Sequence, residues 1–233
     1  MKLMYFFLAT ILLAASAVVI NAQTAVSLSA LKRGDALVAE EKYKAAIVEY
    51  AKVSDRSGDA YARAAYNIGV CYYELWETEE AISFYKQAIE LKQGNYPRAS
   101  YALGVALEDQ GKPAEAREAY QQAVNASHNE FAPATYKLGL LEAKAGKFKS
   151  AADLFRAAAS RAGQHVAASR NNLGVMLAQL GFLKEAEQEF VIALKRSEGD
   201  FQDAAYNLKL CRSLLASQGV AFSGQLALRL TID

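Results

Sequence analysis

AAYNIGVCYYELWETEEAISFYKQAIEL, residues 64–91, is a pattern that the chain repeats in register every 35 residues. The glycine of this stretch and its counterparts are Gly34, Gly69, Gly104, Gly139 and Gly174. Twelve residues after each glycine stands an alanine, and four residues later an aromatic residue: Ala46, Ala81, Ala116, Ala151 and Ala186, then Tyr50, Tyr85, Tyr120, Phe155 and Phe190. A period of about 20–50 residues is typical of repeat proteins, in which each unit buries its apolar face by stacking on its neighbours.

Within one copy the apolar residues have the spacing of two helices. Ala65, Ile68 and Tyr72 share one helical face, and Ala81 and Tyr85 share another. Small residues of the two ladders fall where the helices of one copy would cross, so the two backbones can approach closely. Each copy is therefore predicted to be a helical hairpin, and the chain to be all-α.

We number each copy so that its glycine is position 8. Small residues at positions 8, 20 and 27, with aromatic or large residues at positions 11 and 24, resemble the tetratricopeptide repeat (TPR) family. The resemblance covers residues 27–215. It implies a right-handed α-solenoid of about five helical hairpins with a polar capping helix at the C-terminal end, and a non-catalytic protein that binds other proteins.

Residues 1–22 have the composition of a secretory signal. Lys2 precedes an apolar run over residues 3–20, and small residues allow cleavage after Ala17 or Ala22. We therefore expect an exported protein, periplasmic or secreted, with a solenoid over 27–215 and a separate tail over 216–233. The alternative is that residues 3–20 remain as a membrane anchor, since their length reaches the lower limit for a spanning helix.

Charge and motifs argue against several functional classes. Removing residues 1–22 takes away one of 26 basic residues and none of 25 acidic ones, which leaves no net charge and disfavours nucleic acid as a partner. The two histidines, His128 and His165, have no cluster of Cys, Asp or Glu at metal-ligand spacing beside them in the sequence, and no nucleophile elbow or phosphate loop is present. We expect no enzyme activity, catalytic residue, metal, cofactor or small-molecule substrate.

Function is therefore expected on surfaces, and the resemblance implies that the first helix of each hairpin lines a concave groove. Position 9 is aliphatic in every copy from Val70 onward, which predicts an apolar stripe, while tyrosine and asparagine at positions 5 and 6 fit either ligand contact or packing between repeats. Basic residues at the groove edge favour an apolar ligand segment with acidic flanks. The candidate groove residues are Arg63, Tyr66, Asn67, Val70, Arg98, Tyr101, Val105, Tyr136, Lys137, Leu140, Asn171 and Val175.

The predicted partner is a protein or peptide. The alternative is a structural component of a cell-envelope assembly that uses the same stripe to bind a second copy of itself. Trp76 is a further candidate contact, because it stands at the turn position where the next three copies have glycine. Its ring is expected at the edge of the solenoid, either exposed to a partner or covering the neighbouring turn at Glu41.

Two further expectations concern the cysteines and the tail. Cys71 and Cys211 lie 140 residues apart, four whole repeats, so they are predicted to be free thiols. Residues 226–232 alternate large apolar and other residues, which indicates a half-buried strand. Such a strand either folds against the last helix, stays disordered, or is offered to the sheet edge of a partner.

Overall fold

The chain folds into helices, as the repeat pattern predicts. The computed structural model describes residues 23–128, 130–161, 163, 165–197, 199–217 and 228–232. Within these ranges there are eleven α-helices and no β-strand. None of the helices described there is long and apolar enough to cross a membrane. The predicted signal segment, residues 1–22, lies outside the described residues.

The helices belong to two compact units. The N-terminal unit, Met1–Lys112, contains α1 (residues 23–39), α2 (Tyr43–Tyr50), α3 (Asp59–Glu74), α4 (Thr78–Leu91) and α5 (Pro97–Asp109). The C-terminal unit, Pro113–Asp233, contains α6 (Pro113–Ala126), α7 (Ala132–Lys144), α8 (Phe148–Ala159), α9 (Val166–Gln179), α10 (Leu183–Arg196) and α11 (Gln202–Ala216). It also contains the non-helical residues 228–232, called here the C-terminal segment.

Each first helix ends with the same backbone turn. After α1, α3, α5, α7 and α9, an N–H donates to the carbonyl five residues earlier at 2.9 Å: Lys42 to Leu37, Glu77 to Tyr72, Lys112 to Leu107, Lys147 to Glu142 and Phe182 to Leu177. The residue before each donor is left-handed: Glu41, Trp76, Gly111, Gly146 and Gly181. A left-handed residue after the last helical turn closes the helix by satisfying its free carbonyls. The first two copies keep this geometry although glutamate and tryptophan replace glycine.

The glycine ladder has a packing reason within the hairpin. A Cβ added at Gly69 would lie 2.7 Å from the ring of Tyr85, and one added at Gly174 would lie 2.6 Å from the ring of Phe190. The aromatic residue of the second helix therefore lies directly on the glycine of the first, rather than only beside it. Because the contact is made inside each hairpin, the two residue types recur together at every period.

The two cysteines are free and buried, as predicted. Cys71 belongs to the core of the N-terminal unit and Cys211 to that of the C-terminal unit. Burial raises the pKa of the Cys71 thiol to about 11, so this side chain stays a neutral thiol at physiological pH. The predicted capping helix is also present as α11, and its Lys209 and Arg212 are exposed.

Candidate functional site

Four buried polar side chains of the C-terminal unit come from three first helices and contact the same segment of chain. Tyr136 of α7, Asn171 and Asn172 of α9, and Asn207 of α11 occupy positions 5 and 6 of their copies and have no exposed surface. We call the surface that these four residues form the groove. Amides buried this fully need hydrogen-bond partners, and the C-terminal segment provides them.

Two asparagines hold the backbone of the C-terminal segment by two-point contacts. Asn207 donates from Nδ2 to the Arg229 carbonyl at 2.8 Å and accepts from the Arg229 N–H at 2.8 Å. Asn172 does the same with Thr231, at 2.9 Å to the carbonyl and 2.8 Å from the N–H. Backbone groups of alternate residues in an extended chain point the same way, so two asparagines one repeat apart engage residues two apart.

Further hydrogen bonds tie these two contacts into one network. Asn171 Nδ2 lies 3.1 Å from the Arg229 carbonyl, and Tyr136 donates its hydroxyl to the Thr231 carbonyl at 2.7 Å. Asn207 also donates to Asn171 Oδ1 at 2.9 Å. The Tyr136 ring also stacks on the His165 ring, with 5.1 Å between the ring centroids. The groove therefore reads main-chain groups with side chains that are already held in place.

The side chains of the C-terminal segment divide between apolar and polar contacts. Leu228 and Leu230 pack against the hydrophobic cluster of the C-terminal unit. Arg229 lies over the Tyr206 ring, 4.1 Å from its centroid, and its guanidinium is 4.0 Å from Asp203.

Thr231 makes side-chain contacts as well as main-chain ones. Its hydroxyl lies 3.1 Å from Asn171 Nδ2 and 3.4 Å from Asp203 Oδ2.

The exposure of the C-terminal segment follows the predicted alternation only in part. Leu228 and Leu230 are half-buried and Arg229 is exposed, as predicted, whereas Ile232 is 63 % exposed and departs from the pattern. The predicted positions 226 and 227 lie outside the described residues. The segment pairs with side-chain amides of α9 and α11 and with a hydroxyl of α7, so it neither joins a sheet nor packs on α11 alone.

The hydrogen bonds that hold the C-terminal segment and the entropy cost of ordering it are of similar size. A typical hydrogen bond contributes about 0.5–1.5 kcal/mol net, and fixing the backbone of one residue costs about 1–2 kcal/mol. Six hydrogen bonds to the main chain of Arg229 and Thr231 therefore roughly offset the ordering of these few residues. The burial of Leu228 and Leu230 decides the net balance.

The structure brings together the candidate residues of the C-terminal unit. Tyr136 and Asn171 contact the C-terminal segment directly. Leu140 and Val175, from the position 9 row, are 4 % and 2 % exposed and belong to the cluster against which its leucines pack. Lys137 is half-buried on α7. With the segment in place, Leu140 and Val175 are thus core residues rather than an open stripe.

The candidate residues of the N-terminal unit have a different arrangement. Asp35 accepts hydrogen bonds from Arg63, from Asn67 at 3.1 Å and from the Tyr50 hydroxyl at 2.8 Å. Burial and the neighbouring Asp35 carboxylate together raise the pKa of Tyr50 above its usual value. Arg63 and Asn67 are therefore engaged within this unit.

The other candidates of the N-terminal unit lie at its surface or partly below it. Tyr66 packs between Tyr85 and Tyr96, with ring centroids 5.9 and 5.4 Å away. Arg98 is exposed, and the remaining three residues are half-buried: Val70, Tyr101 and Val105. Trp76 is 90 % exposed and left-handed, with φ of 62°, as its turn position predicts.

Sequence reasoning left out the residues that make the strongest contacts. Asn172 and Asn207 hold the main chain, and Tyr206 and Asp203 contact Arg229, yet none was a candidate. A signal existed in the recurrence of asparagine at position 6, in Asn67, Asn172 and Asn207. It could not be separated from packing between repeats, because the ligand that distinguishes the two roles is a distant part of the same chain.

Stacked hairpins with a period of 35 residues define an α-solenoid repeat protein, and comparison with known families agrees. Three family profiles, each described as tetratricopeptide repeat, match residues 19–94, 97–129 and 136–201. The chain belongs to the tetratricopeptide repeat family. No curated protein sequence matches it at a significant level.

Solved structures with a similar fold are also tetratricopeptide repeat proteins. YrrB, described as a TPR protein with an unusual peptide-binding site, is 23 % identical over 84 % of this chain and 97 % of its own, with a TM-score of 0.61. A MamA structure is 20 % identical over 85 % of this chain and 98 % of its own, with a TM-score of 0.58. MamA of Desulfovibrio magneticus RS-1, from residue 41, is 16 % identical over 75 % of this chain and 97 % of its own, with a TM-score of 0.59. The fold is that of a protein-interaction scaffold.

Proposed function

We propose that this chain is an exported, non-catalytic scaffold whose groove binds an extended segment of a partner protein between α7, α9 and α11. The observation that carries the proposal is the C-terminal segment, a stretch of extended chain already held there by Asn172 and Asn207. A surface that fits one extended segment has the donors, acceptors and apolar contacts to fit another.

The contacts also indicate how the groove would recognise a partner. The asparagine amides bind N–H and carbonyl groups that every residue except proline carries, so they set the direction and register of the bound chain. The apolar cluster contacts alternate side chains, here Leu228 and Leu230, so it selects among sequences. This division between main-chain affinity and side-chain selectivity is general in the recognition of extended peptides. The peptide-binding site described for YrrB, a protein of the same fold, supports the same interpretation.

Export is supported by the sequence of residues 1–22, with one basic residue before an apolar run. Mass spectrometry of the protein isolated from its native cells tests this part. We expect a mature chain that begins at Val18 or Gln23. An intact chain beginning at Met1 in the membrane fraction would instead support the anchor.

A synthetic peptide of residues 225–233, QLALRLTID, tests the groove. It is titrated against the protein carrying Leu228→Asp and Leu230→Asp, which removes the apolar anchors of the resident segment, and binding is followed by fluorescence anisotropy. We expect saturable binding to this variant. Absence of binding, in a variant whose C-terminal segment is shown by hydrogen exchange to be released, contradicts the proposed function.

Backbone methylation of the same peptide identifies the contacts. N-methylation at the position of Arg229 or Thr231 removes a donor to a buried asparagine oxygen, which costs about 1–3 kcal/mol and so weakens binding at least about fivefold. The matched control is N-methylation at Leu230, whose N–H has no acceptor among the described residues. Equal affinities for all three methylated peptides would show that the asparagines do not read the main chain.

Self-association is the second candidate, and the same geometry gives it a specific route. The C-terminal segment of one copy has the chemistry to occupy the groove of another, because the groove already accepts that sequence. Measuring the mass of the protein across concentration distinguishes the candidates. A dimer that Leu228→Asp and Leu230→Asp dissociate supports exchange of segments, whereas a monomer at all concentrations supports a separate partner.

A further inference from the structure

We propose that the C-terminal segment is a built-in competitor, and that the partner displaces it with a segment of the same chemistry: apolar, basic, apolar, hydroxyl. This inference rests on the proposed function and adds both a control on binding and the sequence class of the ligand. Four observations carry it, namely the occupancy of the groove, the side-chain pattern, the weak charge contacts and the short connection to α11.

The first observation is that the asparagine amides of the groove are already occupied by the C-terminal segment. Asn172 and Asn207 each use both ends of their amides on the C-terminal segment. The third asparagine, Asn171, and the hydroxyl of Tyr136 also contact it. A second extended chain cannot make the same bonds while the segment is bound. Binding of a partner in this groove therefore requires that the segment leave.

The second observation is that each side chain of residues 228–231 has its own surroundings. Leu228 and Leu230 pack on the apolar cluster, which disfavours polar residues at those positions. Arg229 lies over the electron-rich face of Tyr206 and near the carboxylate of Asp203, a combination that favours a cation. A hydroxyl is favoured at the position of Thr231, because Asn171 donates to it and Asp203 accepts from it.

The basic preference differs from what the groove-edge charges predict. Arg63, Arg98 and Lys137 favour a ligand with acidic flanks, whereas the position of Arg229 faces Asp203. Arg63 and Arg98 belong to the N-terminal unit, where Arg63 is paired with Asp35. Lys137 lies on α7 in the C-terminal unit, where the acidic residue near Arg229 is Asp203. In the groove itself, the contacts that Arg229 makes favour a basic residue.

The third observation is that the resident segment is held by contacts suited to exchange. The Arg229 and Asp203 side chains are 54 % and 32 % exposed, and charge pairs this open to solvent contribute little. Ile232 is mostly exposed and adds no large buried surface. A partner segment that buries more apolar surface than Ile232 does would bind more tightly.

The fourth observation is the length of the connection. Ten residues, 218–227, separate Ser217, the residue after α11, from the C-terminal segment. A short linker keeps a tethered segment at an effective concentration on the order of mM. A free peptide of the same sequence, added at micromolar concentration, therefore competes against a large excess, and its apparent affinity for the wild-type protein is reduced by about tenfold or more.

The test compares three proteins with one probe, the peptide of residues 225–233. We expect it to bind the Leu228→Asp/Leu230→Asp protein at least about tenfold more tightly than the wild type. The matched control is Ile232→Asp, which adds a charge to the same segment at an exposed position and should behave as the wild type. Hydrogen exchange at the Arg229 and Thr231 amides reports release: slow in the wild type and the control, fast in the double variant.

The chemistry of the ligand is tested with the same double variant and altered peptides. Replacing the arginine of the peptide by glutamate should weaken binding severalfold, because the peptide then loses the cation–π contact with Tyr206 and brings a second carboxylate close to Asp203, while lysine should retain most of the affinity. Replacing the threonine by valine should weaken binding severalfold. Equal binding of the arginine and glutamate peptides would overturn the basic preference.

The outcomes separate this inference from the proposed function. If the peptide binds the wild type and the double variant equally, the segment is no competitor, although the groove still binds peptides. If exchange at Arg229 and Thr231 is slow in the double variant, the leucines do not anchor the segment and the inference is wrong. If the wild type is a dimer that the double variant abolishes, the segment acts between copies and not within one. If the peptide fails to bind a released groove, both proposals fall.

Discussion

The two units use the same asparagine position in different ways. In the N-terminal unit, Asn67 donates to Asp35, a residue of the preceding first helix that also binds Arg63. In the C-terminal unit, Asn172 and Asn207 bind the main chain of the C-terminal segment. The three asparagines share motif position 6, so the motif alone does not decide the role.

The residue at position 9 of the preceding copy differs between the two units. That residue is Asp35 for Asn67, but Leu140 for Asn172 and Val175 for Asn207. A carboxylate accepts the amide N–H, whereas an aliphatic side chain offers no acceptor. Asn172 and Asn207 donate to the Tyr136 hydroxyl and to Asn171 Oδ1 instead, and each also donates to a carbonyl of the C-terminal segment. The comparison indicates that a groove needs both an asparagine and an apolar neighbour, and the following predictions test it, from the largest expected effect to the smallest.

Leu140→Asp should have the largest effect. Leu140 is 4 % exposed within the cluster that supports the C-terminal segment, so an aspartate there buries an unpaired charge. We expect a loss of about 3–5 kcal/mol in the free energy of unfolding, measured by urea denaturation. The control is Val70→Asp at the same motif position of the N-terminal unit, where the side chain is half-buried and about 1 kcal/mol is expected. Equal losses would show that position 9 has one role throughout.

Asn172→Ala and Asn207→Ala should each release the C-terminal segment. Each removes two hydrogen bonds to the main chain and so about 1–3 kcal/mol of its binding. Hydrogen exchange at the Arg229 and Thr231 amides should accelerate by about fivefold or more. Asn67→Ala is the matched substitution in the N-terminal unit and should leave those amides unchanged. An acceleration in Asn67→Ala of the same size would contradict the division of roles.

Glu142→Gln should make the stability of the C-terminal unit less dependent on pH. Burial opposes ionisation of Glu142, but its hydrogen bond from Arg117 and the charges of Arg117 and Lys147 prevail and lower its pKa. A carboxylate with a lowered folded-state pKa stabilises above its unfolded pKa and loses that contribution as pH falls through the folded value. We expect the variant, in which a neutral amide replaces the charged acceptor of Arg117, to be about 1 kcal/mol less stable at pH 7.

Near pH 3 the difference between Glu142→Gln and the wild type should shrink, because the wild-type carboxyl then begins to bind a proton. Urea unfolding at both pH values measures it. The N-terminal unit provides the contrast, since the same motif position is Tyr72, which stacks on Phe84 with 5.4 Å between ring centroids. A stability difference that stays constant between pH 7 and pH 3 would show that the charge of Glu142 contributes nothing.

Trp76→Gly should have the smallest effect on stability. A left-handed residue other than glycine is strained by about 1–2 kcal/mol, while glycine costs about 0.4–1 kcal/mol through the unfolded chain, so a small net gain centred on about 0.8 kcal/mol is expected. Trp76→Ala is the control: it removes the ring but keeps a residue other than glycine in the left-handed conformation, so it should show no gain in stability. If both variants bind a partner as the wild type does, the exposed ring is not a contact, and the prediction from the sequence is wrong.

Much of the fold was predictable because its determinants are local and repeated. The ladder of Gly69 and Tyr85 is a contact within one hairpin, and the left-handed turns at Gly111, Gly146 and Gly181 depend on one residue each. Such features recur at every period, so five weak signals add to a clear one. The free cysteines followed from the same register.

The groove was predictable only in part, because its residues acquire their roles from distant neighbours. Tyr136 and Asn171 were candidates from the repeat pattern, but Asn172 and Asn207 were indistinguishable from packing residues in the sequence. The apolar row at position 9 reads the same in every copy after the first, although Leu140 and Val175 are buried and Val70 and Val105 only partly so.

The sequence by itself therefore determined the repeat, its register, the hairpins and the period-two character of the tail. Only the tertiary structure decided where the tail goes, because its contacts join Thr231 to Asn172 and Tyr136 across 59 and 95 residues. The local preferences of the sequence cannot predict contacts between residues so far apart in the chain. Which amide bonds to a side chain of the preceding helix and which also bonds to the C-terminal segment depends on the three-dimensional neighbourhood of each asparagine, and the repeat motif does not contain that information.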